Sequence, residues 1–412
     1  MMKILLLPPY FTPEQMASTH LDENRYWAFA REKFQMVTYT PTPTRGISPD
    51  VRRDYEKRRE EVMYDGMMEV HRFSMFNEGR NPVIRALRYV LCWCKQFYWG
   101  VCAKDIDLIY LVSTPPIQGV LGGLLKKIKK VPFVYNLQDI FPDSLAGTGL
   151  AKKGGLLWKI GRVIENFTYR NADKIIVISE DFKRNIMAKG VPEEKILVVY
   201  NWVDEEAVKH VPRDENKLFD AYELDRNKFY ITYCGNIGLT QNLQMLTDVA
   251  KELEENEDIQ FVLVGNGAYK EELVKVIKKR NIKNVTLLPF QPYEDISHVF
   301  SLGDVSLVIS KPGVGENSVP SKTWSILSAS CPVLANFDEN ELKDIIAENQ
   351  CGIFTKADDK EAFKQAILDL YHDRARCEQL GCNGREFILK HLTRAVGTQK
   401  YVDVIKEYIK SK

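Results

Sequence analysis

The stretch GENSVPSKTWSILSASCPVLA, residues 315–335, puts Lys322 in the first turn of a helical pattern that carries Trp324, Ile326 and Leu327. The helix dipole is already positive there and disfavours a cation. A bound anion would remove the conflict. Lys322 and Ser321, with Asn317 and Ser318 in the preceding loop and the free N–H groups of the helix start, would then hold a diphosphate. The competing reading is an exposed lysine in an ordinary strand–helix unit. Three other stretches carry related chemistry. YCGNIGLTQN places Gly235, Asn236, Gly238 and Gln241 in a strand-to-helix turn, where glycine lets a backbone approach a ligand. FVLVGNG repeats the arrangement at Gly265, Asn266 and Gly267, and LLPFQP leaves Phe290 and Gln291 past a strand end, placed to cradle a base. Each also reads as a tight turn or as core packing. All four fall at carboxyl ends of strands in one half of the chain, so a single nucleotide could bridge them.

The other half offers carboxylates. Asp139 in NLQDIFPDSL follows a strand and could act as a base or orient a sugar hydroxyl. A helix cap is the alternative, and it suits Asp143 better. In PPYFTPEQMASTH, Glu14, Ser18, Thr19 and His20 could contact an acceptor. Ser18 or Thr19 reads equally as a helix cap, and a lone histidine such as His20 is more often structural. DID at residues 105–107 precedes a strand, and no His or carboxylate cluster has metal-ligand spacing, so no metal is expected.

These residues need elements to hold them. Short apolar runs without helical period (KILLL, FQMVTYTP, EVHRFSM, IDLIYLVST, PFVYNLQD, KIIVISE, KILVVYN) alternate with helical patterns. That is the signature of a doubly wound parallel sheet. After a charged stretch at about 205–227, able to hold a linker, a second series begins: FYITYCGN, IQFVLVGNG, NVTLLPF, DVSLVIS, CPVLANF, CGIFTK. The α/β reading is therefore two Rossmann-like halves, as 412 residues would allow. Ligands of such sheets sit beyond the carboxyl ends of the strands, so a cleft between the halves is the default site.

With 57 basic and 56 acidic side chains, the chain is not built as a dedicated nucleic-acid binder. Its eight cysteines show no disulfide or zinc framework and suit a reducing compartment. A first strand at Lys3 leaves no room for a signal peptide, and no uncharged apolar run reaches the ~18 residues of a membrane span. A cytoplasmic protein is expected. The segment from Arg80 to Lys104 mixes Arg85, Arg88 and Lys95 with Trp93, Phe97, Tyr98 and Trp99, and LLKKIKK follows at residues 124–130. Basic and aromatic residues on a helix suit an anionic membrane surface, while a core helix with solvated arginines is the bland alternative.

MKILLLPPYFTPE, NLQDIFPDSL, ENFTYRNADKIIVISEDFKRNI, GVPEEKILVVYNWVD, YCGNIGLTQNL and VPSKTWSILSASCPVLA, in this order, resemble the family-4 glycosyltransferases of GT-B architecture. The resemblance covers nearly the whole chain and lies nearest the bacterial surface-polysaccharide branch of N-acetylfucosamine transferases. It implies an acceptor domain over 1–205, a nucleotide-sugar domain over 206–390, and a C-terminal helix over 391–412 crossing back to the first domain. It also implies retaining transfer of an N-acetylated sugar from a UDP-sugar to a lipid-linked saccharide of capsule or O-antigen, with no further cofactor, at the inner face of the cell membrane. Asp139 and Lys322 would be catalytic. The remaining turn residues would bind the donor, and Glu14, Ser18, Thr19 and His20 the acceptor. The chain departs from the family at several places. Asn236 and Gln241 stand where an Arg–Lys pair is usual, Asn317 and Ser325 where two glutamates are, Met16-Ala17 where a glycine pair is, and Gln138 where a histidine often is. A non-hydrolysing epimerase and a binding paralogue that has lost catalysis are the other two classes compatible with these residues.

Overall fold

The computed structural model describes residues 1–14, 19–77, 82–144, 152, 154–315 and 319–410. It divides into two compact units, Met1–Tyr200 with Thr398–Lys412, and Asn201–Gly397.

The first unit is built on eight strands: β1 (Lys3–Leu6), β2 (Gln35–Pro41), β3 (Glu60–Met63), β4 (Met68–Phe73), β5 (Leu108–Val112), β6 (Phe133–Leu137), β7 (Lys174–Val177) and β8 (Ile196–Val198). Their order is β3-β4-β2-β1-β5-β6-β7-β8. All neighbours pair in parallel except β3 with β4. The central strands are buried on both faces, which is why they read as unbroken apolar runs. Leu5, Ile109, Phe133 and Ile175 meet in one core with Leu121 and Leu125 of the helix Gln118–Lys129. Strand β3 has no counterpart among the apolar runs read from the sequence. Its EEVM alternates exposed and half-buried positions at an antiparallel edge and so carries no apolar run.

The second unit has six parallel strands: β9 (Phe229–Asn236), β10 (Ile259–Asn266), β11 (Val285–Leu288), β12 (Val305–Ile309), β13 (Val333–Phe337) and β14 (Gly352–Lys356). They are ordered β11-β10-β9-β12-β13-β14. Strand order reverses between β9 and β12, as it does between β1 and β5 in the first unit, and such switch points open a crevice at the strand ends. The charged stretch 205–227 is packed, not a free tether. It carries the helix Lys217–Ala221, buries Leu218 and Phe219, and is held by Asn216 Nδ2 donating to the His298 carbonyl at 2.8 Å.

The helix Pro82–Cys102 forms where basic and aromatic residues had suggested a membrane face. Arg80 lies outside the described residues. Of the helix's basic residues, Arg88 alone departs from that expectation: it is fully buried, donates to Thr44 Oγ1 at 3.2 Å and lies 4.7 Å from the centre of the Tyr10 ring. The flat guanidinium stacks on an aromatic face, which a helical pattern alone could not reveal. Trp93 is likewise turned inward, donating to the Ile117 carbonyl at 3.1 Å.

Candidate functional site

In the second unit the turn after β9 is set by strand register. β9 and β10 pair through Gly235 with Gly265 and Asn236 with Asn266. Gly265 has φ +152°, and a Cβ there would lie 1.9 Å from the Gly235 carbonyl oxygen, so only glycine allows the two strand ends to approach. Ile237 then donates to the Asn266 carbonyl and Tyr269 to the Ile237 carbonyl, locking the turn onto β10. Gly238 is buried, and a Cβ there would meet Asn236 Nδ2 and Gln241 Oε1, each at 2.6 Å. The end of β12 joins this turn, because Lys311 N donates to the Thr240 carbonyl at 2.8 Å.

Lys322 opens the seven-residue helix Lys322–Ser328, as the pattern predicted. Its Nζ is buried and lies 3.8 Å from the centre of the Tyr233 ring, and among the described residues it has no hydrogen-bond or ion-pair partner. Burial pulls its pKa down to about 7, against a small opposing pull from the Cys234 thiol. Gln241 Oε1, Ser310 Oγ and Thr323 Oγ1 are also buried without a partner among the described residues. Such groups in a native interior call for an occupant, and these gather at the turn after β9, the end of β12 and the helix that follows it.

One expectation is corrected here. The first-turn amides beside Lys322 are not free: Thr323 N donates to the Pro320 carbonyl at 2.9 Å and Trp324 N to that of Ser321 at 3.2 Å. Ser321 is exposed and its side chain caps nothing. Asn317 and Ser318 lie outside the described residues. The loop before them is held by a residue that the sequence reading passed over. Asp338, just past β13, accepts from Gly313 N at 2.9 Å and Gly315 N at 2.7 Å, and Asn340 Nδ2 donates to the Gly315 carbonyl. Its position after a strand end is the same signal that singled out Asp139. Phe290 is 76% exposed beyond the edge strand β11, and Gln291 donates to Tyr222 OH and the Pro289 carbonyl. Asn266 is exposed and turns its side-chain oxygen onto Gly267 N.

In the first unit a pocket opens at the ends of β1 and β5, lined by Glu14, Thr19, Asp22, Tyr26, Tyr110 and Gln138 among others. Glu14 and Thr19 are therefore brought together, Ser18 lies outside the described residues, and His20 is exposed and not part of the lining. Glu14 has a use the sequence did not foresee. It is 1% exposed, with Oε1 accepting from Thr44 N at 2.7 Å and Arg45 N at 2.8 Å, and Oε2 accepting from Phe11 N. It braces the loop that shapes the pocket. Gln138 Nε2 donates to Asn136 Oδ1, which also accepts from Tyr401 OH at 3.2 Å. Asp139 lines a separate, smaller pocket with Tyr135, Phe141 and Glu165. It accepts from Ser144 Oγ at 3.1 Å, and partial desolvation raises its carboxyl from the usual carboxylate range although much of the residue faces water. Among the described residues no three His, Cys, Asp or Glu side chains gather as a metal site.

Two family models match. Glycosyl transferase 4-like domain covers residues 27–202, and Glycosyl transferases group 1 covers residues 214–387. Among curated proteins, the chain is 32% identical over 208 residues to WcaI of Escherichia coli, which is assigned to colanic acid biosynthesis as a glycosyl transferase, covering 50% of this chain and 51% of that one. The match thus spans about half the length of that relative. The chain is 23% identical over 309 residues to the glycosyltransferase WbjE of Pseudomonas aeruginosa, covering 74% and 75%. It is 19% identical over 315 residues to the N-acetylgalactosamine-N,N'-diacetylbacillosaminyl-diphospho-undecaprenol 4-alpha-N-acetylgalactosaminyltransferase of Campylobacter jejuni, covering 74% and 78%. Among solved structures, HepE of Anabaena in complex with UDP superimposes with a TM-score of 0.72 at 16% identity, over 99% of this chain and 100% of that one. Sucrose-phosphate synthase of Thermosynechococcus elongatus does so with a TM-score of 0.77 at 14% identity, over 100% of both. The two parallel-sheet units are those of GT-B architecture.

Proposed function

Since residues 27–202 and 214–387 belong to the glycosyl transferase 4-like and group 1 domain families, we propose that the protein transfers a sugar, with retention, from a UDP-sugar to a lipid-linked saccharide during bacterial surface-polysaccharide synthesis. The observation that carries the donor half is the buried Lys322 Nζ with no partner among the described residues, at the switch point of the second sheet. A nucleoside diphosphate supplies the anion that this cation lacks. As the sugar–phosphate bond breaks, charge builds on the leaving diphosphate, and a fixed cation in a water-poor site stabilises it more than water would. Gly235, Asn236, Gly238, Gln241, Gly265 and Asn266 at the strand-end turns, with the exposed Phe290 and Gln291 past the end of β11, are proposed to hold the rest of the donor. Attack on the same face as the departing diphosphate accounts for retention without a protein nucleophile.

The first-unit pocket suits the acceptor sugar. Its lining offers the carboxylates of Asp22 and Glu23 and the hydroxyls of Tyr26 and Tyr110, groups that pair with sugar hydroxyls. Asp139 is proposed to orient the reacting groups. The chemistry named for the Campylobacter relative, an N-acetylated sugar moved onto a diphospho-undecaprenol-linked saccharide, supports a donor and acceptor of the same classes and a working place at the inner face of the cell membrane. No helix among the described residues is long and apolar enough to cross that membrane.

The test is incubation of the purified protein with a panel of UDP-sugars and undecaprenyl-linked acceptors, with the product's anomeric configuration read by NMR. Transfer with the donor's configuration kept is the expected result. Isomerised UDP-sugar without transfer would mean an epimerase, and tight UDP binding with neither product would mean a binding paralogue.

A further inference from the structure

Three helices stand side by side in the first unit: Pro82–Cys102, Gln118–Lys129 and Leu156–Asn171. The middle one packs on β5 and β6 and touches both of its neighbours. Gly100 lies against Leu125 on one side and Gly123 against Phe167 on the other. Their outward surface is apolar where a solvated helix would be polar. Val83, Leu87 and Val90 are exposed on the first helix at helical spacing, and Leu156, Ile160 and Val163 on the third, with Val83 and Leu156 each 75% exposed. The third helix was no part of the sequence-based expectation of a membrane face.

Charge on this face has one sign. Over the three helices the only acidic residue is Glu165, which is buried and paired with Arg162 and Lys189. Arg85, Lys127 and Arg170 are exposed among the apolar residues, and Lys130 follows the middle helix. A second copy of the chain is a poor occupant: a two-fold contact through this face would set cations against cations with no exposed carboxylate between them. An anionic bilayer satisfies both features, since its headgroups attract the cations and its acyl boundary receives the apolar side chains.

We propose that this three-helix face, with Leu156–Asn171 as its apolar ridge, docks the protein on an anionic lipid surface. The inference deepens the membrane part of the function proposed above and does not depend on the donor chemistry. The full-length protein is sedimented with vesicles of phosphatidylethanolamine and phosphatidylglycerol, and with phosphatidylcholine vesicles, at low and high salt. Strong, salt-sensitive binding to the anionic vesicles is expected. The double variant Leu157→Glu with Val163→Glu, at positions 62% and 69% exposed, should lose at least about tenfold in binding. Lys127→Ala with Lys130→Ala, which spares the apolar ridge should the first variant fail to fold, should lose about fivefold per charge removed and most of the lipid preference. Val62→Glu, on the edge strand β3, should bind as the parent does.

Absence of wild-type binding to anionic vesicles overturns the proposal, and so does undiminished binding by both double variants. A wild-type dimer that the glutamate variant splits, with vesicles left uncaptured, would assign the face to a second copy. UDP titration on the same samples separates the two readings. Vesicle binding without UDP binding would retain the docking face and sink the transferase.

Discussion

Lys322 Nζ lies 3.8 Å from the centre of the Tyr233 ring, where the first turn of one helix reaches the C-terminal half of strand β9. The ring's negative face partly offsets the charge, at a value of ~0.5–2 kcal/mol. It donates and accepts nothing toward the amine, so Nζ remains without a hydrogen bond among the described residues. The cost of burying that group is carried by the fold, and its return is expected in ligand binding.

Replacing Lys322 by methionine keeps the stem and removes the charge. Stability should hold or rise, because an unpaired buried ammonium opposes folding. Turnover should fall by roughly 10²–10³-fold, in line with loss of one fixed group facing a developing anion. Thermal melting and single-turnover transfer on the same preparation check both halves of the claim. A variant that transfers at the parental rate would remove Lys322 from the site.

The pKa of about 7 has a signed consequence. Between about 7 and the ordinary value of 10.5 the unfolded chain binds the Lys322 proton and the folded chain does not. Stability therefore gains up to ~1.4 kcal/mol per pH unit from this group as pH rises through that window, and below it the full penalty applies. A diphosphate bound next to Nζ favours the charged form, so UDP binding at pH 8 should take up nearly one proton and weaken as pH climbs further. Calorimetry in buffers of differing ionisation heat measures the uptake. The methionine variant should show neither the uptake nor this contribution to the pH slope.

Asp338 holds the loop that leads to Lys322 through two glycine amides. Asp338→Ala should cost ~1–3 kcal/mol by leaving those donors without their charged acceptor. It should also speed amide exchange at Gly313 and Gly315 and lower UDP affinity roughly tenfold. Unchanged exchange at both glycines would show that the loop is held by something else.

Residues 201–397 form a compact unit with a continuous core running from Phe229 to Leu380. If this piece folds by itself, shown by cooperative melting, it should bind UDP within about threefold of the whole chain, since every donor residue named above lies inside it. A folded piece blind to UDP, beside a full-length protein that binds it, would put the nucleotide elsewhere.

Thirteen of the strands in β1–β14 were legible in the sequence, the central ones as apolar runs, because a strand covered on both faces must be apolar throughout. Two parallel sheets follow from strands alternating with helices. Turn chemistry was legible for the same local reason: glycine where strand ends approach, as at Gly265, and lysine where a helix begins, as at Lys322. What the tertiary structure alone decided is where each polar group finds its partner. The burial of Arg88 on Tyr10, the use of Glu14 as a brace for Thr44 and Arg45, and the hold of Asp338 on its loop all join residues far apart in the chain. No local pattern encodes those pairings. They arise when strand order brings distant loops to the same sheet edge, and there each buried donor or acceptor must be satisfied by whatever group arrives beside it.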